Sequence, residues 1–139
     1  MPANTVPIFT KTPNIGTCAV SVANTASDGS GTLSTLFTAG EFGSRIERIR
    51  YSNAQIAPAA SSAMVIRFFI TDSNGENPRL FAEIPLAVAT RSVSAVGAGG
   101  TYTFTNGLVI PAGTLIKVAQ SVYAGVQDLM HFVAEGGDY

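Results

Sequence analysis

The side chains that could do chemistry are few and scattered. His131 is the only histidine and Cys18 the only cysteine. A lone imidazole works as a general base only beside a nucleophile, an orienting carboxylate and an oxyanion site. No Gly-x-Ser-x-Gly elbow supplies them, and His131 sits in the apolar run Leu129-Met-His-Phe-Val. Glycoside hydrolysis needs two placed carboxylates, whereas Asp72, Glu76, Asp128 and Glu135 are dispersed and mostly beside turns. Asp72-x-Asn74-Gly-Glu76 is oxygen-rich but falls short of a twelve-residue calcium loop and lacks its distal Glu. The glycines at 97, 99 and 100 are not followed by Gly-Lys-Ser/Thr, so they suit a flexible turn and not a phosphate cradle. One cysteine excludes an intrachain disulfide and a cysteine-based metal site within one chain. The expectation is a protein without catalytic residues, cofactor or metal.

The elements that carry these residues read as strands. Fourteen Gly and seven Pro break the chain into short runs rich in β-branched and aromatic residues. Residues 62–72 alternate, with Met64, Ile66, Phe68 and Ile70 on one face and Val65, Arg67, Phe69 and Thr71 on the other. Asp72-Ser-Asn-Gly-Glu-Asn-Pro then makes a hairpin turn, with positive φ expected at Asn74-Gly75. Residues 79–88 return, placing Leu80, Ala82, Ile84 and Leu86 opposite in facing to Phe81, Glu83 and Pro85. Pro85 lacks a ladder donor, which predicts a sheet edge or a bend there.

Further strands are expected over residues 16–23, 33–38, 45–52, 101–105, 114–121 and 129–135, with Asn106-Gly among the turns. In residues 45–51 the spacing of Ile46 and Ile49 is helical, so a bulge or a helical turn is expected. Ala57-Pro-Ala-Ala-Ser-Ser reads as a long loop and not as a domain linker. Together these features predict one domain over residues 1–139, a single antiparallel β-sandwich of jelly-roll type. Residues 1–14 read as an extended N-terminal arm, held open by Pro2, Pro7 and Pro13 and carrying Val6, Ile8 and Phe9 as apolar anchors. The arm either reaches a neighbour or packs as an ordinary first strand.

Composition narrows the partners. Hydrophobic residues make up 46% of the 139-residue chain and charged residues only 12%, so a core is available and the surface is largely Thr, Ser, Asn, Gly and Ala. Such a surface desolvates cheaply under another protein, though short polar residues also simply fill turns. The net charge of -1 without charge blocks speaks against nucleic acid. No signal-like start and no long apolar run are found, so neither export nor membrane insertion is expected. Arg45, Arg48 and Arg50 cluster around Glu47, as a local salt-bridged strand or as a partner-binding patch. Absence of Trp weakens a sugar-binding reading, although Tyr51, Tyr102 and Tyr123 remain available for stacking.

Several phrases point further. Pro7-Ile-Phe-Thr-Lys-Thr-Pro-Asn, Thr35-Leu-Phe-Thr-Ala-Gly-Glu-Phe-Gly-Ser-Arg-Ile-Glu-Arg-Ile, Leu108-Val-Ile-Pro-Ala-Gly-Thr and the terminal Val133-Ala-Glu-Gly-Gly-Asp-Tyr resemble small structural proteins of tailed phages and prophages. Within that group the chain looks most like a capsid decoration, or cement, protein. The resemblance implies a homotrimer made in the bacterial host cytoplasm, which binds the major capsid protein on the virion surface. The arm residues Val6, Ile8 and Phe9, the arginines 45, 48 and 50, and Tyr139 are the candidate contacts. A tail, head-fibre or vertex position and a carbohydrate-binding adhesion module are the alternatives.

Overall fold

Period-two runs separated by glycine and proline turns leave few ways to bury one face of each strand other than sheet against sheet. The computed structural model describes residues 9–55 and 59–139. It contains eight strands: β1 (Thr12–Val20), β2 (Ser34–Thr38), β3 (Ser44–Asn53), β4 (Met64–Ile70), β5 (Arg79–Leu86), β6 (Gly99–Ile110), β7 (Leu115–Gln120) and β8 (Met130–Asp138). They form two four-stranded antiparallel sheets, ordered β1-β8-β3-β6 and β2-β7-β4-β5. The chain is an all-β sandwich. The first strand thus pairs with the last, β2 with β7, β3 with β6 and β4 with β5.

The core lies between the sheets. Ile46, Ile49, Phe132 and Met130 from one sheet meet Ile66, Phe68, Ile116 and Val118 from the other, all fully buried. Phe68 meets Phe132 edge-on across the gap, with ring centroids 6.1 Å apart, a geometry favoured by the ring quadrupoles. On one side the sheets close: a Cβ on Gly16 of β1 would stand 2.0 Å from the Leu36 carbonyl oxygen of β2, so only glycine permits the approach. On the other side the backbones of β5 and β6 stay farther apart, and Phe81, Tyr102 and Phe104 fill the space as half-buried rings.

Bulges decide which side chains enter this core. In β3 the ladder slips between Ile46 and Arg48 against both neighbours: against β8 Glu47 is extra, whereas against β6 the extra residues are 104–107 of β6. That slip puts Ile46 and Ile49 on the same buried face despite their helical spacing; the bulge and not the helical turn accounts for it. In β5 the ladder skips Phe81, since Phe68 pairs with Ala82 and Phe69 with Leu80. The expected facing is therefore reversed there: Phe81 turns inward and Leu80 is 38% exposed. Pro85 does lie on an edge strand.

Three other expectations need correction. Asn106-Gly107 does not end a strand; both residues have positive φ (63° and 75°) inside β6, which bulges there and continues to Ile110. In the β4–β5 turn the left-handed residues are Gly75 and Asn77, not Asn74, because the Asp72 carboxylate accepts the Asn74 and Glu76 N–H groups and the Asn77 side-chain amide. The arm is shorter than residues 1–14: Thr12, Pro13 and Asn14 already pair with β8, and the Lys11 N–H bonds the Asp138 carbonyl. The loop from residue 54 to 63 joins strands of different sheets, with residues 56–58 outside the described residues.

One end of the sandwich is tied by a buried polar cluster. Asp128 is fully buried, and its carboxylate accepts the Ser62 N–H (2.7 Å), the Ser62 hydroxyl (3.0 Å) and the Ala124 N–H (2.8 Å). It thereby joins the β3–β4 connection to the β7–β8 connection. Asp128→Ala strands these donors and is expected to cost about 3 kcal/mol, read as a lower urea midpoint at unchanged slope. A loss within about 0.5 kcal/mol would contradict this role.

Candidate interaction face

The two outer faces of the sandwich differ. The outer face of the β2-β7-β4-β5 sheet is covered by the chain itself. After β1, Ala23 pairs with Gln120, the Thr25 carbonyl accepts from Arg67, and Gly29 reaches the Pro78 carbonyl. Asn24 pinches this loop by donating to the Ser30 and Thr32 carbonyls and accepting the Ala26 N–H. Beneath it Phe69 and Ala119 are buried although they face away from the central core. Arg67 is held there by Glu83 at 2.8 Å.

The outer face of the β1-β8-β3-β6 sheet has no such cover among the described residues. Register places its side chains in rows: Ile15, Glu135, Arg48 and Thr103; then Thr17, Val133, Arg50 and Thr101; then Ala19, His131, Ser52 and Gly99. Most are small, and Ile15 stands 56% exposed. A shallow depression lies between Thr10, Ile15, Arg45, Glu47, Arg48 and Glu135, and a second runs along Thr17, Ala19, His131 and Val133.

The arginine cluster is centred on a residue that the local sequence could not supply. Arg48 and Arg50 of β3 both pair with Glu135 of β8, Arg50 at 2.9 Å, while Arg45 pairs with Glu47 at 2.7 Å. The Arg48 hydrogen bond, with the charges of Arg48 and Arg50 behind it, holds the Glu135 carboxyl below its ordinary value. Three cations on two carboxylates leave the patch one positive charge in excess, on side chains about half exposed. Of the local ion pairs expected around Glu47 only that of Arg45 is present; Arg48 and Arg50 reach across to β8 instead.

The other candidates fall in different places. Phe9 is 76% exposed at the entry to β1. Val6 and Ile8 lie outside the described residues. Tyr139 is half-buried and its N–H donates to the Gly43 carbonyl, while Gly136 and Gly137 sit between β1 and β3. Residues 136–139 thus belong to an interior strand and its end and not to a free tail. Asp138 accepts from the Asn14 amide (2.8 Å) and the Ser44 hydroxyl, which locks that corner.

Chemically the face is plain. His131 has Ala19 and Ser52 as cross-strand neighbours, and neither is a carboxylate that could orient the ring. Asp72 belongs to the β4–β5 turn and Asp128 to the opposite end, so the acids do not pair. Among the described residues no group of three or more His, Cys, Asp or Glu could hold a metal ion. Burial pushes the Cys18 thiol up to about 11, leaving it protonated and unreactive at neutral pH. Among those residues no helix is long and apolar enough to cross a membrane.

Because the native Glu135 binds its proton less tightly than an unfolded chain would, its ion pairs stabilise the fold above the ordinary value of 4.5 and fade as pH falls through the lowered native value. At neutral pH Glu135→Gln should unfold at a lower urea concentration than the native chain. The gap should narrow in acid and in high salt; a gap independent of pH would refute the pairing. Comparison of the chain with protein-family models and with curated proteins finds no match.

Proposed function

We propose that the chain is a non-catalytic structural subunit of a tailed-phage virion, a decoration protein that binds the outside of the major capsid lattice as a homotrimer. The observation that carries the reading is the asymmetry of the sandwich: one sheet is sealed by its own β1–β2 loop, and the other presents a bare face of small side chains around an Arg–Glu cluster. A face of this kind desolvates at low cost and orients its partner through a few charge-assisted bonds. The phrases that resemble phage structural proteins supply the identity of that partner.

The strand pairing supports a jelly-roll winding. First with last, second with seventh, third with sixth and fourth with fifth is the order a long hairpin acquires when it is wrapped around two sheets. A cement subunit needs no reaction; it must bury enough surface against several neighbours, roughly 1,200–2,000 Å² for a secure interface. Three copies acting together lower the affinity required of each contact.

Quantitative mass spectrometry of purified particles carrying this chain tests the assignment. Hundreds of copies per particle, in fixed ratio to the major capsid protein, are expected. A handful or a dozen would move the chain to the tail or a vertex and overturn the capsid reading.

A further inference from the structure

The edges of the two sheets are unequally protected against pairing with another chain. The edges of β1 and β2 close on each other. β5 carries Arg79, Glu83 and Pro85, the kinds of residue that obstruct strand addition. β6 carries no charge and no proline in its twelve residues, although it is the longest strand and lies at the edge of its sheet.

Its free side can be read from the ladder. The Asn53 N–H bonds the Ala98 carbonyl at 2.7 Å, and the register continues through Ser52 with Gly99, Arg50 with Thr101 and Arg48 with Thr103. By alternation Gly99, Thr101 and Thr103 occupy non-hydrogen-bonded positions, so their N–H and C=O groups point away from β3. Beside this edge lies the open seam, where Tyr102 and Phe104 pack 5.2 Å apart and both remain half-buried. Free backbone groups above an apolar strip are what a strand-addition site requires.

We propose that the segment before β1 of a second copy, residues 2–8, adds as a strand parallel to the first half of β6, with residues 3–8 along residues 99–104. The six residues so paired span about 20 Å when extended. The proline positions choose the direction. In a parallel ladder the added residues that bond β6 lie opposite Tyr102 and Phe104 and share their inward face. With Asn4, Val6 and Ile8 opposite Gly100, Tyr102 and Phe104, Val6 and Ile8 cover the seam and Pro7 turns its missing donor away. An antiparallel strand with the same two residues inward would aim Pro7 at β6 and lose a bond.

The donor segment enters at β1 and the acceptor is β6, at opposite edges of one sheet. The joint is therefore heterologous, the kind that builds a ring when its rotation closes. This rests on the self-association in the reading above but not on a capsid, so the copy count and this joint can fail separately.

Native mass measurement and amide exchange on the purified full chain test it. The full chain is expected to be a trimer with slow exchange at the Thr101 and Thr103 amides. Deletion of residues 2–8 should give monomers and speed those two amides by at least about tenfold. Thr101→Pro with Thr103→Pro should also give monomers while keeping the β3 ladder, since neither N–H faces β3; if that variant does not fold, the deletion decides. A monomeric full chain with fast exchange at both amides would overturn the proposal. So would a deletion variant that stays oligomeric with both amides protected, which would mean that β6 pairs with something else.

Discussion

The contact of Phe68 with Phe132 across the sheet gap is the constraint on which the rest of the structure depends. Both rings are fully buried, one on each sheet, and each fixes which face of its strand points inward. A one-residue slip in either strand would turn the apolar set to solvent. The bulges at Glu47 and Phe81 are therefore part of the packing and not defects in it. They let strands whose apolar residues are out of step still deliver Ile46, Ile49 and Phe81 to the same core.

That packing also produces the difference between the two outer faces. Gly16 brings β1 against β2, so the chain leaving β1 is already at the rim of the second sheet. From there the loop pinched by Asn24 crosses that sheet and buries Phe69. The opposite sheet keeps its outer rows uncovered by the described chain, with Arg48 and Arg50 drawn onto Glu135 of the adjacent strand. A sealed face and a bare one are what an assembly subunit needs to stay soluble on one side and bind on the other.

Strand existence and the hairpin after Ile70 were legible from alternation and turn residues because both are local. The β3 bulge was foreshadowed by the spacing of Ile46 and Ile49. The Phe81 inversion was not, since nothing within β5 shows that Phe69 pairs with Leu80. Asn106-Gly107 carried a true signal of left-handed backbone, but whether such a pair ends a strand or bulges it depends on the β3 partner. In the candidate face, the arginines were visible in one segment, whereas Glu135 lies 87 residues from Arg48 and becomes its partner only through sheet order. Asp128 read as one scattered acid; its burial depends on donors from Ser62 and Ala124, which sequence proximity does not bring together.

In the proposed function the bare face of the β1-β8-β3-β6 sheet meets a capsid lattice. An electron cryo-microscopy reconstruction of particles carrying the chain tests it most directly. Sandwich density is expected on the outer capsid surface, with Arg48, Arg50 and Ile15 turned toward the major capsid protein. Density with that sheet facing solvent and the β1–β2 loop against the lattice, or no density on the capsid, would contradict it.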